Sequence, residues 1–325
     1  MERSARLIRA AVARLARGAA LLPREIAELH ALARCLAEAG LVPPDTASPA
    51  ASGSLAEALL ACVREGGAIH RHFASASRLT ESVRDRLTGD MYATFTQALR
   101  AARADAAVVG RSLDGLSHAM VSILRYSTAV AGVAAESMVR GGGWLFLDLG
   151  RRIERAQAVA GEVAIAVDQA PARIEIGLRL VLELCDSAIT YRNRYLDVLQ
   201  PAPVLDLVLA DQGNPRGLAF QLVAIHALLD ELAGPVEGRE MLAGAAAGLV
   251  AEAEALVEQV LGEEDQSVAA AALPPALAAI GAAVAALSDR ITRRYFALLP
   301  VAQTIGVAED DEAAEPAAAE MEPVA

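Results

Sequence analysis

The sequence predicts an all-α protein, a multi-helix bundle of about ten helices. Three observations carry this. The apolar content is drawn mostly from Ala, Leu and Val, and aromatics make up only 3% of the chain, which favours helices in close small-residue contact over sheets. Apolar residues recur at helical spacing in segment after segment. No stretch alternates apolar and polar residues well enough for a strand.

The elements follow in chain order. Residues 2–17 read as a helix with Leu7, Ile8, Val12 and Leu15 apolar. Pro23 opens a second helix that ends near Gly40, and Leu41 to Gly53 is the clearest loop. Ser54 and Glu57 make a capping-box pattern for the next helix, which Gly66–Gly67 ends. Two helical stretches cover about 74–104, and a long one runs from Ser112 to Arg140, stopped by the glycines at 141–143. Pro171 starts a helix that continues to about Gln200, where Pro201 and Pro203 break the chain. Asn214–Pro215 reads as an N-cap followed by Pro at the first helical position, opening a helix to about Leu232. Gly234–Pro235 punctuates, and helices near 238–263 and 275–298 finish the fold. Val307 to Ala325 is acidic, alanine-rich and aperiodic, so it reads as a disordered tail on a domain of residues 1–306.

The stretch from Gly141 to Gln169 sets the organisation. At ~100° per residue, Leu145, Leu149, Ile153, Ala156, Ala160, Val163 and Val167 share one arc, the expected core stripe. Asp148, Arg151, Arg155 and Glu162 fall opposite. Glu154 lies on a flank among Leu147, Gly150, Ala158, Gly161 and Ile165, so it is expected to be partly buried with Arg151 as its partner.

The chain of 325 residues is long enough for a substantial core. Its net charge of −12 argues against nucleic acid as a partner. There is no lysine, so every strong cation is an arginine, whose planar fork grips carboxylates and phosphates. Cys35, Cys62 and Cys185 are scattered and suggest neither disulfides nor a zinc site; a cytoplasmic location is expected. Met1 is followed at once by charged helix, so no signal peptide is expected. Val268 to Leu287 is free of charge, but it is alanine-rich and interrupted by Pro274–Pro275, so a loop and then a buried helix are expected rather than a membrane span. The five histidines show no metal-ligand clustering, and no cofactor or metal is expected.

Three constellations are candidates for chemistry. In Trp144 to Arg155, the arginines Arg151, Arg152 and Arg155 can form an anion site, with Glu154 and Asp148 as acid/base groups or orienters; the competing reading is a solvated arginine face with a buried ion pair. In Glu183 to Tyr195, Asp186, Ser187, Thr190, Tyr191 and Arg194 share a face at helical spacing; they either line a pocket or hold helices together. In Asp206 to Arg216, Asn214 reads as a cap, and Arg216 in a first helical turn opposes the helix dipole, which hints at another role. A weak echo links Glu2-Arg3-Ser4 to Glu154-Arg155-Ala156, the basis for considering two pseudo-repeated halves.

The segment GWLFLDLGRRIERA (143–156) resembles the signature of the bacterial alpha-E domain family. SVRDRLTGDMY (82–92), AAESMVRGGGW (134–144), DSAITYRNRYL (186–196), PVLDLVLADQGNPRGLAFQL (203–222) and DRITRRYFAL (289–298) resemble its other motifs in the same order. The resemblance implies a helical protein whose relatives are encoded beside, or fused to, circularly permuted ATP-grasp ligases, with transglutaminase-like peptidases often nearby. It draws attention to Asp148, Arg151, Arg152, Glu154 and Arg155, and further on to Asp186, Tyr191, Arg192, Arg194, Asn214 and Arg216. It makes Glu2 the counterpart of Glu154. The family's aromatic-Gly-Arg lead-in to that first Glu-Arg pair is absent here, so either the start is truncated or half of the first motif has been lost.

Two functions from different classes follow. One is a binding module that holds an ATP-grasp-type ligase, or its carboxylate- or phosphate-bearing intermediate, on an Arg/Glu helix surface that includes Trp144; a transglutaminase-like peptidase is a further partner, and an oligomer is compatible. The other is an enzyme in which Glu2 and Glu154, or Glu154 and Asp186, act as paired acid and base in amide formation or cleavage, helped by Tyr191. A scaffold whose motif serves only packing is the plain alternative.

Overall fold

Among the residues described by the computed structural model, 1–47, 52–195, 198–233 and 240–296, every regular element is helical. The α-helices are α1 (Glu2–Leu15), α2 (Pro23–Glu38), α3 (Ser52–Cys62), α4 (Ala68–Ser82), α5 (Gly89–Ala107), α6 (Leu113–Ser137), α7 (Gly142–Val167), α8 (Ile174–Leu184), α9 (Ala188–Tyr195), α10 (Pro201–Leu205), α11 (Leu218–Ala233), α12 (Glu240–Gly262), α13 (Gln266–Ala271) and α14 (Pro274–Tyr295). The expected tail and the Gly234–Pro235 break lie outside the described residues.

Local chemistry explains most boundaries. Pro23 occupies the first turn of α2, and the Glu25 carboxylate accepts from Leu22 N at 2.8 Å. Gly40 ends that helix in the left-handed region (φ +66°), with Leu41 N donating to Leu36 O at 2.9 Å in a Schellman pattern. Ser112 caps α6 by accepting from Gly115 N at 3.0 Å.

Helix α7 is the axle. It packs against α14, α11, α8 and α2 on different sides, so it is covered nearly all round. Its alanines let these neighbours approach. Gly177 of α8 does the same from the other side: a Cβ there would lie 2.0 Å from the Ala166 carbonyl oxygen. This encirclement corrects the wheel reading of α7. Asp148 and Glu162, expected opposite the core stripe, are both buried. Glu154, expected to be partly buried, has a side chain 60% exposed, and Arg151 pairs with Asp148 instead.

Five further expectations are corrected. The single helix from Pro171 to Gln200 is broken: Pro171–Arg173 is a 3-10 turn, and α8 ends at Leu184 before Asp186 takes a left-handed conformation (φ 51°). Ser187 and Tyr191 are therefore buried while Asp186 and Arg194 face outward, and they share no polar face. Pro201 opens α10 rather than breaking the chain, and a π-turn, Asp206–Ala210, continues it, with Asp211 N donating to Asp206 O at 2.8 Å. Asn214 does not cap α11, which begins four residues later at Leu218. Helix α3 begins at Ser52, ahead of the expected cap at Ser54.

Among the described residues one helix, Pro274–Tyr295, is long and apolar enough to cross a membrane by length and composition. Its stripe of Leu277, Ile280, Val284, Leu287 and Ile291 is buried, and the helix packs on α7 and α12.

Candidate functional site

The arginines and carboxylates of α1 and α7 meet at one cavity of about 80 Å³. Helix α1 contributes Glu2, Arg3 and Arg6. Helix α7 contributes Arg151, Glu154, Arg155 and Glu162, with Ala158 and Val159 as part of an apolar floor. Leu184 and Cys185 at the end of α8 complete the floor, and Arg216 enters from the turn before α11.

Glu2 is the hub. Its carboxylate accepts from Arg155 Nη2 at 2.7 Å, from Arg6 Nε at 3.3 Å, and from Arg216 Nη1. Burial raises its pKa, but the hydrogen bonds and charges of Arg155 and Arg216 outweigh this and hold it at about 2. Arg216 gets there because Asn214 fixes its turn. The buried Asn214 amide donates to Ser187 Oγ at 3.1 Å and Leu207 O at 2.8 Å, while its carbonyl oxygen accepts from Arg216 N at 3.1 Å. Asn214 is thus a positioning residue. The oddity of Arg216 before a helix resolves: its side chain reaches across 214 residues of sequence separation to Glu2.

Arg3 Nε donates to Glu162 Oε1 at 2.9 Å. Burial pushes the Glu162 carboxyl up to about 7, with Arg3 opposing that and Glu38 adding to it. The second terminal nitrogen of Arg3, Nη2, is buried with no hydrogen-bond partner among the described residues. Arg151 donates to Asp148 Oδ1 at 3.1 Å; burial and then the adjacent Arg155 lower its pKa, against the pull of Asp148. Cationic groups are therefore crowded, and one of them is incompletely compensated. The Cys185 thiol is held protonated by burial, so the floor carries no nucleophile.

The candidates from the sequence divide as follows. Glu2, Arg151, Glu154, Arg155 and Arg216 line the cavity. Asp148 backs it through Arg151, and Asp186 touches Arg6 Nη1 at 3.4 Å from the rim. Trp144 is instead covered by the Arg140 guanidinium at 3.9 Å. Arg152 bridges to α11, donating to Gln221 Oε1 at 3.3 Å beside the Phe220 ring. The Tyr191 hydroxyl is spent on Val198 O at 2.9 Å and Gln200 N at 3.2 Å. Arg192 is exposed, and Arg194 pairs with Asp211. Sequence reasoning missed Arg3, Arg6 and Glu162. The signal for Glu162 was there: it is the lone charge in the apolar run 156–167.

The two Glu-Arg pairs of the chain, Glu2-Arg3 and Glu154-Arg155, thus meet at this cavity, and Glu2 of the first grips Arg155 of the second. The Alpha-E family, described as a predicted alpha-helical domain with a conserved ER motif, matches residues 1–296. The chain belongs to the Alpha-E family. It is similar to the uncharacterized protein Rv2567 of Mycobacterium tuberculosis, 31% identical over 159 residues, 47% of this chain and 18% of that protein. It is similar also to the uncharacterized protein Mb2597 of Mycobacterium bovis, 32% identical over 158 residues, again 47% of this chain and 18% of the relative. The chain therefore spans less than a fifth of the length of these curated relatives. No solved structure matches it significantly. The Alpha-E pairs are not used alike: Glu2 is enclosed by arginines, whereas Glu154 faces solvent, with the Met1 ammonium 3.9 Å away.

Proposed function

We propose that this Alpha-E chain is the accessory domain of an ATP-grasp-type amide or peptide ligase system in the cytoplasm. Its arginine pocket holds the ligase, or the ligase's carboxylate- or phosphate-bearing intermediate. One observation carries the reading: five guanidiniums and three carboxylates line a single cavity with an apolar floor. Five planar forks around one space supply the parallel N–H donors by which arginine recognises carboxylates and phosphates, which is what supports an anion ligand. The share of the mycobacterial relatives outside the match, most of each polypeptide, fits a domain that works beside another. A transglutaminase-like peptidase from the same neighbourhood is a second partner in this reading.

The paired-carboxylate enzyme is the weaker reading. A Glu2 held at about 2 is a poor proton acceptor and carries no proton to donate at neutral pH, and Glu154 is largely solvated.

The test is co-purification of the full chain with the ATP-grasp ligase encoded beside it, comparing wild type with Arg151→Ala. The variant is expected to bind about tenfold more weakly while keeping its helical circular dichroism. Equal binding by a folded variant overturns the reading.

A further inference from the structure

Two features of the pocket go unexplained by a general anion site. The first is the way charge is shared. Beyond the lining, Asp148 takes one nitrogen each from Arg151 and Arg152, and Asp186 reaches Arg6 from the rim. With these, and with Glu38 beside Glu162 and the Met1 ammonium beside Glu154, seven cations (Arg3, Arg6, Arg151, Arg152, Arg155, Arg216 and Met1) face six carboxylates (Glu2, Glu154, Glu162, Asp148, Asp186 and Glu38), one positive charge in excess. The second feature is Glu162. It is an enclosed carboxylate at the edge of an arginine cavity, holding Arg3 at 2.9 Å and otherwise unsupported by hydrogen bonds among the described residues. If Glu162 becomes neutral, the excess rises to two charges and Arg3 is released toward whatever fills the cavity.

Resting on the anion-site reading, we propose that the pocket takes a doubly charged anion, the head of a small phosphate monoester, and that Glu162 takes up a proton from solvent as the ligand enters. The geometry favours a phosphoryl head over a dicarboxylate. Arg6, Arg155 and Arg216 are gathered within hydrogen-bond reach of one carboxylate, Glu2, so their other N–H groups border one small space rather than two points several ångströms apart. The cavity is small, about 80 Å³, and its floor of Ala158, Val159, Leu184 and Cys185 offers no charge, so the group that follows the head is short and apolar.

The surroundings of Glu162 fix the direction of the proton coupling. From α1 it faces Arg3 and Arg6; from α2 it faces Glu38 and the Cys35 thiol, which burial keeps protonated; from the end of α8 it faces the Cys185 thiol, protonated for the same reason. Arg3 and Arg6 favour its charged form, Glu38 and burial its neutral form, and the balance lies at about 7. A dianion arriving beside it adds negative charge and competes for Arg3, so it pushes the balance further toward the neutral form. Ligand binding and proton uptake then help each other.

The test is isothermal titration calorimetry on the full chain with sulfate, inorganic phosphate, ethyl phosphate and acetate, each in two buffers of different ionisation enthalpy. Sulfate does not titrate here, so any pH dependence of its affinity reports the protein. Sulfate affinity is expected to fall about tenfold from pH 6 to pH 8, with net proton uptake at pH 8. Ethyl phosphate is expected to bind about tenfold tighter than acetate and tighter than inorganic phosphate. In Glu162→Gln the sulfate affinity is expected to be flat with pH; the wild-type proton uptake gives the same answer if that variant fails to fold. Acetate binding as tightly as ethyl phosphate, lost in Arg155→Ala, overturns the dianion proposal and leaves the anion site standing. Sulfate affinity flat with pH in the wild type overturns the proton coupling. Ethyl phosphate no tighter than inorganic phosphate overturns the apolar stem and makes this a site for free phosphate. Binding of none of the four overturns this proposal and the anion-site reading together.

Discussion

Helix α1 carries arginines into two clusters at its two ends, and the clusters are built differently. At the C-terminal end, Arg14 and Glu28 are buried together, and the exposed Glu183 closes over Arg14 from the surface. Its Nε donates to Glu28 at 2.9 Å, its Nη1 and Nη2 grip Glu183 at 2.9 and 2.7 Å, and Nη1 also donates to Ala10 O at 3.0 Å. Burial works against the charge, but Glu183 and then Glu28 outweigh it and raise the Arg14 pKa. One arginine serves two carboxylates, and its Nε, Nη1 and Nη2 are all engaged. At the N-terminal end, five arginines share three carboxylates around open space. The side chains are the same; the N-terminal cluster has more arginines than carboxylates in the lining of a cavity, and that stoichiometry is why we propose it, rather than the Arg14 clamp, as the binding site.

Four predictions break or sharpen this contrast. Arg14→Leu removes the clamp's only cation and strands the buried Glu28, so it is expected to cost about 3–5 kcal/mol in urea unfolding. A loss under 1 kcal/mol would erase the difference between the two ends. Next comes acid. Glu2 has a folded pKa below its unfolded value, so its contribution is complete above about pH 4.5 and lost as pH falls toward 2. The stabilisation at stake is about 3 kcal/mol, and Glu2→Gln is expected to flatten the stability curve across that window.

The third prediction has the opposite sign. Glu162 has a folded pKa raised to about 7, so its contribution is complete below about pH 4.5 and is lost as pH rises through 7. The wild type is expected to be less stable at pH 8 than at pH 5 in thermal unfolding, and Glu162→Gln is expected to remove that slope. A slope that survives the substitution assigns it to another group. The smallest effect is at Arg155. Its loss leaves Glu2 paired with Arg6 and Arg216, so Arg155→Ala is expected to cost only about 1 kcal/mol while anion binding disappears.

The helices were legible because periodicity, Pro at first turns and Gly at ends are local facts. Pro23, Gly40 and Ser112 act as their sequence neighbours require. The α8–α9 break was not, because Asp186 takes a left-handed conformation that nothing beside it in the chain demands. The burial of Asp148 and Glu162 was missed for another reason: a wheel finds one buried arc, and α7 is packed on several sides. The Glu-Arg echo linked two segments that do meet at one cavity, where Glu2 grips Arg155. The partners of Arg3, Arg6 and Glu162 stayed hidden because they lie 159 and 180 residues away, which no spacing rule encodes; the lone charge of Glu162 in an apolar run marked the residue but not its partner.

The most direct measurement pairs one variant from each end. Sulfate affinity and urea stability are measured for Arg155→Ala and Arg14→Leu on the full chain. The account predicts that Arg155→Ala stays folded and loses sulfate, and that Arg14→Leu is strongly destabilised but binds sulfate wherever it remains folded. Arg155→Ala retaining wild-type sulfate affinity, or unfolding as readily as Arg14→Leu, would contradict it.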